Sequence, residues 1–169
     1  MGALNTHDLY LSLGGGEKTW PEVIQAKHLA IKPILEAKGR LMPGATKLRD
    51  ALHAARIPAA PATSARRKSM EIILTHFSLT HHFAATVALE DVPVGKPDPS
   101  GYLELAQLLG VRAQEMVYVG NEPKDAEGAR NACMTSVFVD RHNTGEACGA
   151  DLRISSLDEL ISLLSAEAV

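Results

Sequence analysis

The sequence is short of cysteine, of long apolar runs and of excess charge, and each shortage narrows what the chain can be. Its 2 cysteines, Cys133 and Cys148, share no Cys-x-x-Cys spacing and are too few for a disulfide framework. They read as reduced thiols, and the expected setting is the cytoplasm. No apolar run approaches the roughly 20 residues needed to cross a bilayer, and Met1 to Asp8 carry no basic-then-apolar signal pattern. With 17 Lys and Arg against 20 Asp and Glu, the formal net charge is -3. That balance supplies no broad electropositive surface, so generic binding to nucleic acid or anionic membrane is not expected and a small-molecule partner is. No fixed-period repeat is present. What is there is a chain of 169 residues, 46% hydrophobic and 22% charged, the composition of one globular domain with a small appendage and a sizeable core.

From Leu41 onward, helix-like and strand-like segments alternate, which predicts a parallel sheet covered by helices. Pro43-Gly44 opens a helix with Leu48, Ala51, Leu52 and Ala55 on one face, and Ile57 to Thr63 follows as a strand. A helix over Arg67 to Phe77 and a strand Thr86-Val87-Ala88-Leu89 come next. In the loop after them, Asp98 suits the cap of a helix and Pro99 its first position; Leu103, Ala106 and Leu109 face inward and Gly110 closes it. Met116 to Val119 is the third strand, Gly120 to Asp125 its loop, and Ala126 to Ala132 the helix after it. Ser136 to Val139, Leu152 to Ile154 and a helix from Leu157 to Leu164 complete the pattern. The first forty residues differ: Trp20 to Lys38 reads as an amphipathic helix with Val23, Ala26, Leu29, Ala30 and Leu35 apolar, interrupted near Pro33. Leu9 to Leu13 reads either as a strand or as a helix end running into Gly14-Gly15-Gly16.

Three strand ends carry the chemistry: Ala62-Thr63-Ser64, then Gly95-Lys96-Pro97-Asp98-Pro99, then Gly120-Asn121-Glu122-Pro123-Lys124-Asp125. Loops at the carboxyl ends of parallel strands converge on one edge of the sheet, where ligands bind. A hydroxyl, an ammonium and acidic groups would meet there, which is the set phosphoryl transfer needs: donors and positive charge for phosphate oxygens, carboxylates for Mg²⁺.

In order, spacing and flanking residues these loops resemble the second, third and fourth motifs of haloacid-dehalogenase-type (HAD) hydrolases, in the phosphatase and phosphoglucomutase-like branch with an early helical cap. The resemblance runs from Met42 to Leu164. It implies an α/β, Rossmann-like parallel sheet over residues 41–169, with residues 1–40 a reduced helical cap. It further implies Mg²⁺-dependent hydrolysis of a small phosphorylated metabolite. Thr63 and Ser64 would bind the phosphate, Lys96 would neutralise it, and Asn121, Glu122 and Asp125 would form the Mg²⁺ site, with Asn121 where the family usually has aspartate. The catalytic pair is then Lys96 and Thr63. Cys133 stands where the family commonly has a glycine at a helix end, a position that often needs positive φ.

The family's first motif is missing. It is an Asp-x-Asp pair whose first carboxylate attacks phosphorus, and none of Asp8, Asp50, Asp91, Asp98, Asp125, Asp140, Asp151 and Asp158 has another two residues away. The strand bearing that motif sits centrally in the family, so its absence predicts a gap in the sheet. Leu9 to Leu13, a strand from a complementing chain, or nothing, as in a truncated product, would occupy it. Pro61 adds to this expectation, because proline rarely sits within a central strand. Two readings of function stand side by side: a phosphatase, and a non-catalytic binding protein that keeps an anion site. Protein partners, if present, would be a second copy or a complementing chain.

Other features take the plainer interpretation. Gly14-Gly15-Gly16-Glu17-Lys18-Thr19 lacks the glycine before lysine that a phosphate-binding P-loop needs. His76, His81 and His82 are read as surface histidines, Arg66-Arg67-Lys68 as a solvated helix face, and Trp20 as a packing residue.

Overall fold

The structure, a computed structural model, describes residues 10–145 and 148–166. It divides into two compact units, Met1–Gly39 and Arg40–Val169.

In the first unit, residues 10–12 are helical. From Tyr10 onward the helix-end reading therefore holds and the strand reading does not; Leu9 lies outside the described residues. Turn bonds from the Gly14 amide to the Leu11 carbonyl and from Gly15 to the Tyr10 carbonyl, 3.0 Å each, end this segment. Trp20 packs against Tyr10, ring centroids 5.3 Å apart. Helix α1, Trp20–Lys38, runs through Pro33 without the expected break. Pro33 removes only the N–H that would reach the Leu29 carbonyl, and Leu29 is 71% exposed, so water can satisfy that acceptor. No residue of α1 is buried.

The second unit carries the parallel sheet. Strands β1 (Val117–Gly120), β2 (Thr135–Val139) and β3 (Leu152–Ile154) pair in that order, all parallel, with Val119 opposite Val137 and Val139 opposite Ile154. Among its described residues the unit has five α-helices: α2 (Ala45–Ala54), α3 (Arg67–His76), α4 (Ser100–Leu109), α5 (Pro123–Asn131) and α6 (Leu157–Ala166). Side chains alternate across the sheet. Val137, Val139 and Ile154 meet Leu48 of α2 and Leu157 and Leu160 of α6 on one face. On the other face Tyr118 and Met116 pack against Tyr102 and Ala106 of α4, Ala129 of α5 and Met134. Each fully buried aliphatic or aromatic side chain contributes about 1.5–3 kcal/mol, so the two faces together fix the layer order.

The expected strands Ile57 to Thr63 and Thr86 to Leu89 shrink to a single parallel bridge between Ala62 and Val87. Ladder bonds remain from the Ala84 amide to the Ala59 carbonyl (3.0 Å), from Val87 to Pro61 (2.9 Å) and from Thr63 to Val87 (2.9 Å). Pro61 lies on this paired side and has no N–H to donate, which interrupts the ladder where it would otherwise continue. Leu89, expected to end the second strand, begins a 3-10 turn, Leu89–Asp91. Two further boundaries moved. Helix α5 starts at Pro123 rather than Ala126, placing Asp125 inside its first turn. Pro99, not Asp98, is the cap residue of α4, and Asp98 stands one residue before it, its carboxylate accepting the Ser100 amide at 2.9 Å.

Candidate active site

The third strand and the turn after it create the centre of the site. Glu122 is the residue before α5, Pro123 fills the first helical position, and Asp125 reaches back from the third. Its Oδ2 accepts the backbone amides of Asn121 and Glu122, both at 3.1 Å, so the helix start holds this carboxylate in place. Gly120 makes the arrangement possible, because a Cβ there would overlap the Asp125 side chain. The other oxygen, Oδ1, receives Lys96 Nζ at 2.9 Å, and the two side chains are only 14% and 9% exposed.

Lys96 arrives from the loop before α4. Its ammonium also donates to the Ala62 carbonyl (3.1 Å) and to the Tyr118 hydroxyl (2.5 Å), so all three of its donors are used. Tyr118 in turn donates to the Ala62 carbonyl at 3.1 Å. Burial, with the charges of Asp125 and Glu122 behind it, pushes the Tyr118 phenol above its ordinary range, so it stays protonated and able to donate. Tyr102, fully buried beneath, donates to the Asp125 carbonyl at 3.2 Å and packs edge-on against Tyr118.

Thr63, Ser64 and Lys96 line one small cavity of about 20 Å³, together with Gly95, Asp98 and Tyr102. That is room for a single water, so a larger anion would sit at its mouth. The Thr63 hydroxyl oxygen accepts the Ala65 amide at 3.0 Å, which leaves its proton free to donate elsewhere. Ser64 is exposed. Tyr118 was not singled out in the sequence, although its place in Val117–Gly120 makes it the polar member of a strand that ends at the site; only its reach to Lys96 marks it out.

Asn121 and Glu122 are exposed, and Glu122 pairs with Lys124 at 2.8 Å. HAD phosphatases generally use Mg²⁺. The donor set here falls short of such a site. Both oxygens of Asp125 are engaged, an ammonium sits where a cation would be repelled, and Asn121 offers no charge. Among the described residues no three His, Cys, Asp or Glu side chains cluster as metal ligands, and His76, His81 and His82 are no exception.

Arg67 is tied to Asp91, Thr86 and the Glu90 carboxylate, and Arg66 pairs with Glu90 at 3.6 Å, so the two arginines of this run are held by local acids while Lys68 is exposed. Cys133 has φ 60°, the left-handed conformation that glycine adopts most easily.

A family model for haloacid dehalogenase-like hydrolases matches residues 5–139, well over half of the chain. Similar curated proteins include a (S)-2-haloacid dehalogenase 2 of Pseudomonas sp. (strain CBS-3), 29% identical over 82% of this chain and 58% of the relative. Another is a chloroplastic 5-amino-6-(5-phospho-D-ribitylamino)uracil phosphatase of Arabidopsis thaliana, 32% identical over 72% of this chain and 33% of the relative. The chain thus spans between about a third and three fifths of these relatives' length. Among solved structures, a family IA HAD hydrolase from Entamoeba histolytica superposes with a TM-score of 0.80 at 20% identity, over 97% of this chain and 80% of the other, which establishes the fold. The chain belongs to the haloacid dehalogenase-like hydrolase family.

Proposed function

We propose that this chain carries the phosphate-recognising part of a HAD-type site for a small phosphate monoester. Lys96 supplies the charge; Thr63 and Ser64 supply hydroxyl donors. The observation that carries the reading is the convergence of these three residues on one cavity, over an ammonium locked by Asp125 and Tyr118. Of the three partners of Lys96, the Ala62 carbonyl is the neutral backbone acceptor. A phosphate dianion accepts a stronger, charge-assisted bond and would take its place. Phosphatases among the similar proteins, the Arabidopsis enzyme included, support the substrate class.

Turnover by way of an aspartyl phosphate requires a carboxylate in line with the leaving group. Asp125 is committed to Lys96 and to its helix start, and the sequence has no Asp-x-Asp pair. The isolated chain is therefore expected to bind phosphate without hydrolysing esters and without a magnesium site of its own. The second reading, Mg²⁺-dependent hydrolysis through another carboxylate, draws on Glu122, which is exposed on the same loop. Inorganic phosphate should raise the melting temperature of the folded chain by mass action, and Lys96→Ala should abolish that rise, with p-nitrophenyl phosphate left intact. Hydrolysis lost on both EDTA treatment and Lys96→Ala would establish the second reading instead; absence of any phosphate-dependent stabilisation would refute the site.

A further inference from the structure

Beside α2 lies an apolar hollow of about 460 Å³, walled by Leu48, Leu52, Ile57, Leu79, Phe83 and Leu157. No residue of β1, of 60–63 or of the Lys96 loop lines it, so it is a place apart from the site described above. Its volume falls in the range of about 300–1,000 Å³ usual for small-molecule sites, which pair apolar walls with a few placed polar groups. The polar side chains of this wall are Thr46, Arg49, His53, Arg56 and His82. Among the described residues that line it there is no Asp or Glu. Apolar walls with only neutral or cationic polar groups complement an amphipathic anion and oppose a cation.

The two arginines differ in what they have free. Arg49 is engaged by its neighbour Asp50, through Nε at 2.8 Å and a second nitrogen at 2.7 Å. Arg56 is exposed, and among the described residues its guanidinium has no hydrogen bond or ion pair. The backbone places it deliberately at the end of α2. The Ile57 amide reaches the Leu52 carbonyl at 2.9 Å and the Arg56 amide reaches His53 at 3.1 Å, the paired bonds of a helix C-terminus closed by a left-handed residue. Glycine is usual in that position, yet here Arg56 holds it at φ 57°. The same turn sets Leu52 and Ile57 into the wall of the hollow, so one free monovalent cation stands beside its apolar surface.

We propose that the hollow binds a free medium-chain fatty acid, its acyl chain against Leu52, Ile57, Leu79 and Phe83 and its carboxylate on Arg56. At roughly 30 Å³ per water-sized group the volume takes on the order of fifteen such groups, enough for a ten-carbon chain and its carboxylate. A guanidinium presents paired donors that match the two oxygens of a carboxylate. A single free charge suits a monoanion better than a phosphate dianion, and an uncharged hydrocarbon would leave Arg56 without a partner.

The probe is decanoate, titrated into the full chain in phosphate-free buffer below its micelle-forming concentration and followed by calorimetry and methyl NMR. The expected result is saturable one-to-one binding, with shifts at the methyl groups of Leu48, Leu52, Ile57, Leu79 and Leu157. Affinity should rise roughly fourfold per methylene from octanoate to decanoate, as burial of each group in an apolar wall requires. Arg56→Gly suits the left-handed backbone, so that variant should melt no lower than the parent. It should weaken decanoate about fivefold, the size of an exposed charge pair, and leave the binding of uncharged decanol as it was. Arg56→Lys should retain most of the affinity for decanoate. No saturable binding, methyl shifts confined to residues outside the hollow, or an Arg56→Gly variant that binds decanoate as the parent does or loses decanol equally would overturn the proposal. The readout lies on the walls of the hollow, so its failure is distinct from failure of the Lys96 site.

Discussion

Removing the ammonium of Lys96 tests the physical basis of the site most directly. Lys96→Ala leaves Asp125, 6% exposed, with a buried carboxylate oxygen that has lost its cation. Breaking a buried ion pair from one side costs about 3–5 kcal/mol. Two features place this case at the low end: Oδ2 keeps its two amide bonds at 3.1 Å, and a lysine side chain 14% exposed implies some access for water. Tyr118 also keeps its bond to the Ala62 carbonyl, so no second polar group is orphaned. A loss of about 3 kcal/mol is expected, read as a fall of roughly 6–12 °C in melting temperature for a domain of this size. Urea unfolding of the parent, Lys96→Ala, Asp125→Asn and the double variant gives the coupling by a double-mutant cycle. The double variant should be less destabilised than the sum of the two single changes. A single-variant loss under about 1 kcal/mol, the size of an exposed pair, would show that water screens the contact and refute the view of a dry, locked ammonium.

Other perturbations address the frame around the site. Gly128→Ala should destabilise despite alanine's better helix propensity, because the new Cβ would stand 2.5 Å from the buried Tyr102 ring; an overpacking cost of about 1–3 kcal/mol is expected by urea unfolding, and a gain in stability would refute it. The Asp140 carboxylate is held below the ordinary range by the Thr144 amide first, then by the Gly145 amide, the Thr144 hydroxyl and Arg153. A depressed folded value contributes stability that is fully present above the unfolded pKa, near 3.8, and is lost as pH falls below it towards the folded value. Asp140→Asn should therefore flatten the acid limb of a melting-temperature profile below about pH 4, and an unchanged limb would show that Asp140 contributes nothing there.

Much of this architecture was legible in the chain. Alternation of apolar helices with short β-branched runs gave the parallel sheet, because a strand buried on both faces reads as a continuous apolar run such as Val137-Phe138-Val139. The three loops that bear Thr63, Lys96 and Asp125 were placed at one sheet edge by topology alone, and Cys133 was marked as a position of positive φ. Boundaries were less legible. Pro123 and Asp125 looked like loop residues until α5 formed around them, and Pro33 looked like a break in a helix that runs through it.

The sequence by itself determined the family, the layer class and the absence of an Asp-x-Asp pair, since each rests on which residues occur in which order. Only the tertiary structure decided what those residues do to one another. Asp125 is held by Lys96 and two amides, Tyr118 becomes the third partner of the ammonium, and Pro61 faces Val87 while the Ala62 carbonyl takes both Lys96 and Tyr118. The contacts of Lys96 and Tyr118 join residues 22 to 56 positions apart, and local pattern carries no record of such distances until the strands and helices pack.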